Sequence, residues 1–254
     1  MYTVVTGFFD IERDNWEHFK IPLISQVSHF HNMLQLKAPM IIFCEQKYVN
    51  LVSVTRKTVP FDTQIIPTEI FELYMYRYKR VLEEIQKDPN YAKDHPNPNC
   101  PEIAIPSYSL IVNSKLDLLY KGSLMAKTEY CCWLDPTYTN GTINIGELRW
   151  NPALLYNTSD KISMIGLKPI SFMKSENPKE FSNQYVDLIS GGFIFGNKEA
   201  IELIHAKYYE IVADMLNTHK IKEGDQFHWT FVAKRNPELV NLIPGGLSGA
   251  FDLC

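Results

Sequence analysis

Apolar residues in this chain fall into short β-branched or aromatic blocks separated by stretches whose apolar positions recur every three or four residues. TVVTGFF at 3–9 predicts a first strand. The following DNWEHFKIPLISQVSHFHNMLQ has the helical period, with Asp14 or Asn15 as its N-cap. PMIIFCE at 39–45 and TQIIPT at 63–68 predict two more buried strands, with a short helix or mixed segment in EQKYVNLVSVTRK between them. EIFELYMYRYKRVLEEIQK at 69–87 is the clearest helix, its Glu and Lys/Arg residues spaced to interact on an exposed side. Prolines and asparagines crowd DPNYAKDHPNPNCPEIAIP at 88–106, which predicts a long surface excursion.

Beyond that excursion, SYSLIVNSKLDLLYKGSLMAKT predicts a helix, TEYCCWL a central strand, and DLISGGFIFGN at 187–197 a strand broken by glycines. KEAIELIHAKYYEIVADMLNTHK is a long amphipathic helix, DQFHWTFVAKR a shorter one and ELVNLI a late strand. Strands alternating with helices predict an α/β sandwich around a mainly parallel sheet. The glycines of PGGLSGAFDLC make the tail, with 88–106, a candidate for movement over a bound ligand.

Composition narrows the classes. The chain has 254 residues, 45% of them hydrophobic, enough for one full-sized domain. Its net charge is -4, without a run of like charges to follow a phosphate backbone, so nucleic acid is set aside as a partner. APMIIFC, among the longest apolar runs, is far short of the ~20 residues a membrane-spanning helix needs. No secretory leader precedes TVVTGFF, which leads to the expectation of a soluble, cytoplasmic protein. The five cysteines form no scaffold-like pattern, and adjacent Cys131 and Cys132 should face opposite sides of a strand as reduced core thiols. The glycosylation patterns at Asn140 and Asn157 are read as chance.

Four stretches carry candidate chemistry. Asp135 ends the block EYCCWLD, and side chains at the carboxyl ends of strands in an α/β sheet are where ligands bind. A carboxylate there suits Mg²⁺ or Mn²⁺ and a leaving diphosphate, or it merely opens the turn DPTYTNG. In SGGFIFGN, Gly191 and Gly192 allow another molecule to approach the backbone, or mark a β-bulge; the dinucleotide GxGxxG spacing is absent. EGDQFHW places Glu223 and Asp225 at a helix start, as dipole partners or as a base, with His228 one turn on as a metal or phosphate contact. TGFFDIERDNW offers Thr6, Gly7, Phe8, Phe9, Asp10 and Arg13 at a strand end, with Arg56 and Lys115 as further cations for a diphosphate, each alone readable as core or surface charge. HFH at 29–31 has no matching metal partners, and the chain lacks GxSxG, Walker A, HExxH and CxxC.

In their order, VVTGFFDIERDNW, APMIIFCE, PEIAIPSYSLIVNSK, TEYCCWLD, SGGFIFGN and EGDQFHWTFVAKRNPELVNLI resemble a GT-A-type nucleotide-sugar glycosyltransferase, specifically the bacterial HtrL/YibB-like family, over nearly the whole chain. That resemblance implies a single GT-A-like (Rossmann-like) domain over 1–254, with helices on both faces of the sheet. Residues 1–135 would form the nucleotide-sugar half and 136–254 the acceptor half. It implies a donor such as a UDP- or GDP-sugar, a glycan or other hydroxyl acceptor, and Mn²⁺ or Mg²⁺ at Asp135 with His228. Thr6, Gly7, Phe8, Asp10, Arg13, Arg56, Lys115 and Asp135 would then hold the donor, Gly191 and Gly192 would line the acceptor side, and Asp225 or Glu223 would be the base of an inverting reaction; a retaining one needs none. Thr137 stands where the usual metal motif has a second Asp, which keeps open a weakly catalytic nucleotide- or carbohydrate-binding protein on the same fold. A nucleotidyltransferase would need a Gly-rich, Arg-containing loop after the first strand, and none is present; a purely structural α/β protein would bind no nucleotide.

Overall fold

The computed structural model describes the chain except residues 139–142, 144, 146–149, 153–154, 157–159 and 254, so both glycosylation patterns and Cys254 lie outside the described residues. In chain order the elements are β1 (Tyr2–Phe8), α1 (Leu23–Met33), β2 (Met40–Cys44), α2 (Val49–Arg56), β3 (Thr63–Pro67) and α3 (Lys79–Lys87). There follow α4 (Pro101–Ala104), α5 (Pro106–Val112), α6 (Lys115–Met125), β4 (Tyr130–Leu134), β5 (Ile162–Gly166) and α7 (Pro178–Ser182). The last are β6 (Ile189–Asn197), α8 (Lys198–Asn217), α9 (Asp225–Arg235) and β7 (Val240–Pro244).

The strands form one sheet in the order β3-β2-β1-β4-β6-β5-β7. β6 alone runs against its neighbours, pairing antiparallel with β4 and β5, while every other pairing is parallel. Burial on both faces explains the unbroken apolar blocks. Val5, Ile41, Phe43, Cys131 and Trp133 enter one core with residues of α6, α8 and α9. Val4, Phe8, Ile42, Cys44, Cys132 and Leu134 enter the other, against Phe30 and Met33 of α1 and Val52 of α2. Cys131 and Cys132 thus face opposite cores as free buried thiols. A slip of one residue would exchange the two sets, so both packed faces fix the register.

Several sequence expectations are corrected. The helix expected from Asp14 begins only at Leu23: Phe19 sits at φ 55, which a right-handed helix excludes, and Pro22 precedes the first turn. The helix expected over 69–87 is broken at Leu73, whose ψ of 143 is extended; Ile70–Glu72 and Tyr74–Tyr78 are 3-10 turns, and α3 covers only the end. The break buries Leu73 and Met75, and the Met75 amide donates to Ser114 Oγ (3.3 Å). The helix expected from Ser107 to Thr128 divides into α5 and α6 at Asn113–Ser114. β5 was not anticipated. Segment 88–106 is no free excursion, because Tyr91, His95, Cys100 and Ile103 are buried and Tyr91 hydrogen-bonds the Lys222 backbone. The tail is likewise anchored: Phe251 is buried, and Trp150 Nε1 donates to the Ala250 carbonyl (2.7 Å).

Candidate active site

β1 and β4 lie side by side and parallel, so their carboxyl ends open toward the same edge of the sheet. Thr6 Oγ1 donates to the Leu134 carbonyl (2.7 Å) and closes the two strands just below that edge. Two residues along a strand share a face, so Trp133 and Asp135 emerge together. Trp133 Nε1 donates to Asp135 Oδ1 (2.6 Å), and the Asp135 amide donates to the Gly192 carbonyl (3.0 Å), which carries the pairing of β4 with β6 one residue further. The acid that ends the hydrophobic block is therefore fixed through backbone and side chain.

Lys115, the first residue of α6, reaches that acid from the Asn113–Ser114 joint. Its ammonium stands 3.0 Å from Asp135 Oδ2 and 3.0 Å from Asp225 Oδ2, and 3.4 Å from the Gly191 carbonyl. Burial opposes its charge, but the two carboxylates outweigh burial and hold its pKa above the ordinary value. Burial raises the pKa of Asp225, which Lys115 counters and Asp135 reinforces. Asp225 opens α9 with Gly224 as N-cap, where a carboxylate is favoured by the helix dipole. The joint is braced by Asn113: its Nδ2 donates to the carbonyls of Ser109 and Glu223 (2.8 Å each), and its Oδ1 accepts from Tyr208 Oη (2.7 Å).

The glycines of β6 make this convergence possible. A Cβ on Gly191 would lie 2.1 Å from Asp225 Oδ2, and one on Gly192 would lie 2.6 Å from the Tyr138 ring, so both positions are filled by neighbours. Opposite them the register of β5 on β6 shifts between Met164 and Ile165, so the bulge and the close approach occur together.

Two clefts meet at Lys115 and Asp135. The first is walled by Gly7, Phe8, Arg13, Tyr108 and Trp133; the second by Tyr138, Gly191, Gly192, Asp225 and Gln226. Arg13 Nε donates to the Phe19 carbonyl (3.1 Å), with the guanidinium over the Trp16 ring.

Not every sequence-predicted residue joins them. Thr6 is buried in the strand pair behind the site. Asp10 braces the loop instead, accepting from Lys47 Nζ (3.0 Å) and the Glu12 amide (2.9 Å). Arg56 is buried among the carbonyls of Leu34, Leu36 and Ala38, at 2.8–2.9 Å, near the amino ends of β2 and β3; burial lowers its pKa to about 10. Glu223 lines a separate cavity with His95, Glu102 and Asp187, where Ser182 Oγ donates to it (2.6 Å). His228 is buried against Tyr208 and Phe227, its Nδ1 at 2.9 Å from the Gly224 carbonyl, and it lines neither cleft. Tyr108, Tyr138 and Gln226 were missed: they stand in unremarkable helix, turn and post-cap positions, and only tertiary packing brings them to the site.

A divalent ion does not fit this donor set. Asp135 accepts from Trp133 at Oδ1 and from Lys115 at Oδ2, Asp225 is held on the same ammonium, Thr137 offers no carboxylate, and among the described residues no three His, Cys, Asp or Glu are arranged to hold an ion. Such an ion 4 Å from the ammonium would meet a repulsion of about 8 kcal/mol at an effective permittivity of about 20.

Among solved structures, the fold is similar to that of mouse Xyloside xylosyltransferase 1 in its apo form, at 12% identity and TM-score 0.52, with 95% of this chain and 84% of that chain covered. It is also similar to Core-mannan synthase A (CmsA/Ktr4) from Aspergillus fumigatus in a Mn/GDP form, at 8% identity and TM-score 0.50, with 95% of this chain and 72% of that one covered. At these identities the likeness is one of fold, a GT-A-like α/β sheet. No curated protein matches the chain in sequence. Among the described residues no helix is long and apolar enough to cross a membrane. The family model described as "Bacterial protein of unknown function (HtrL_YibB)" matches residues 1–254, and the chain belongs to that family.

Proposed function

We propose that this protein is a glycosyltransferase that moves a sugar from a nucleoside-diphosphate sugar, of the UDP or GDP class, to a hydroxyl of a glycan or related acceptor. The observation that carries this reading is the Lys115 ammonium held between Asp135 and Asp225 where two clefts meet, at the carboxyl ends of β1 and β4. In the first cleft, Gly7, Phe8 and Arg13 hold the donor, and Arg13 faces the diphosphate. Gly191, Gly192 and Asp225 receive the acceptor in the second. The 1–135 half thus supplies the donor side, and the 136–254 half supplies Asp225 and the acceptor side. Sugar transfer needs charge stabilised on the departing diphosphate, and in an inverting reaction it needs a base at the acceptor hydroxyl. Asp225 is the carboxylate placed for the second task; Glu223, in its own cavity, is not. The scheme routes no step through a metal.

Thermal denaturation with UDP, GDP, CDP, dTDP and ADP tests the reading, because a ligand of the native state raises the melting temperature. One nucleotide is expected to raise it in wild type and to raise it less in a folded Arg13→Met variant, which lacks the cation facing the diphosphate. Unchanged melting with all five would overturn the donor site. The Thr137 substitution in the metal motif also favours a binding protein of low activity, which would show the same shift without donor hydrolysis or transfer.

A further inference from the structure

We propose that the Lys115 ammonium is the resident cation of this site, and that nucleoside-diphosphate binding is therefore independent of divalent metal. The inference rests on the nucleotide reading above and deepens it. An ammonium has three N–H donors. One donates to Asp135 Oδ2 at 3.0 Å and one to the Gly191 carbonyl at 3.4 Å, beyond the usual 2.7–3.2 Å range, while Asp225 Oδ2 pairs with the ammonium by charge at 3.0 Å without taking a hydrogen bond. The donor on the Gly191 carbonyl is thus weakly held, and Lys115 lines both clefts. A diphosphate oxygen at the seam can take that donor without displacing either carboxylate.

The charge count agrees. Among the described residues, Arg13, Lys115, Asp135 and Asp225 are the charged side chains lining the two clefts, and they sum to zero, so they set no net negative charge against an incoming diphosphate. Removing Lys115 would leave Asp135 and Asp225 facing each other with no cation between them. That vacated arrangement, two carboxylates beside the diphosphate, is what a divalent ion requires. A metal and the ammonium are alternatives for one position, and this chain has filled it with a side chain anchored at both carboxylates. Arg13 adds the second cation, with only its Nε engaged by a carbonyl among the described residues.

Titration calorimetry with UDP and GDP, in EDTA and in Mn²⁺, on wild type and Lys115→Met tests this. Wild type is expected to bind its nucleotide with affinities within about twofold in the two conditions. Lys115→Met is expected to lose at least tenfold in EDTA and to recover affinity in Mn²⁺. Wild-type binding that appears only with Mn²⁺ would overturn the proposal while leaving the nucleotide site intact. Lys115→Met binding as tightly as wild type in EDTA would overturn it equally. No binding in any condition would remove the nucleotide reading and this inference with it. Should Lys115→Met fail to fold, Lys115→Met/Asp225→Asn removes one of the unpaired acids, and the wild-type comparison decides by itself.

Discussion

Gly191 shows how one hydrogen atom in place of a methyl group sets the chemistry of a site. The position its Cβ would occupy is the position of the Asp225 carboxylate, at 2.1 Å. Gly191→Ala must push that carboxylate off Lys115 or move β6 itself. Overpacking of this kind costs about 1–3 kcal/mol, and urea unfolding should register a loss of that size. On the proposed function, transfer activity should fall further than stability, because the displaced acid is the proposed acceptor-side base. A Gly191→Ala protein with wild-type stability and activity would mean that Asp225 does not stand where this geometry puts it. Asp135 is held differently, by Trp133 and Lys115 at its two oxygens, and its place was legible beforehand because it ends a hydrophobic strand block, at the carboxyl end where side chains escape the sheet.

At the scale of elements, the buried blocks announced themselves and the joints did not. β1, β2, β4 and β6 are runs buried on both faces, which composition alone betrays. β5 escaped because ISMIG is only five residues long and its apolar positions, 162, 164 and 165, match no single period. The breaks at Leu73 and Asn113 escaped for another reason: both are made by distant partners, Ser114 for Met75 and Tyr208 with Glu223 for Asn113. Arg56 was misplaced by the same blindness, since an arginine bound to carbonyls and one awaiting a phosphate look alike in a sequence. In the structure its guanidinium ties the turn between α1 and β2 to the end of α2, and Nε reaches Thr63 Oγ1 (3.0 Å) at the start of β3. Arg56→Met would strand the buried carbonyls of Leu34 and Ala38, while that of Leu36 keeps the Ala38 amide, at about 1–3 kcal/mol for each that stays unpaired. Denaturant unfolding should therefore show a loss of about 2 kcal/mol or more, with nucleotide affinity unchanged in the folded fraction. A weakened affinity and intact stability would return Arg56 to the donor site.

Across the whole molecule, the connection between α8 and α9 carries an unusual pH dependence into the core. Burial lowers the pKa of Lys222 to about 7, with Nζ donating to the carbonyls of Glu102 (3.0 Å) and Ile103 (2.6 Å). Burial raises that of the adjacent Glu223 to about 7 and lowers that of His228 to about 4. Stability rises with pH wherever the unfolded chain binds more protons, and falls where the native state does. Between pH 4.5 and 7, Glu223 keeps a proton in the native state that the unfolded chain has lost, so its contribution falls as pH rises. Between pH 4 and 6.5, His228 is neutral in the native state and charged in the unfolded one, so its contribution rises and offsets that of Glu223. Above pH 7 the neutral Lys222 takes over, and stability climbs toward pH 10.5, where the unfolded lysine also loses its proton. Glu223→Gln removes the falling component, leaves that of His228, and lowers the pKa of Lys222 further by taking away its neighbouring carboxylate. At about 1.4 kcal/mol per pH unit, its stability relative to wild type should increase by about 3 kcal/mol between pH 4.5 and 7, measured by urea unfolding at each pH. A difference that stays constant across that range would mean that Glu223 ionises in the native protein as it does in the unfolded chain. Water would then have to solvate a carboxyl that the structure buries beside the Ser182 hydroxyl.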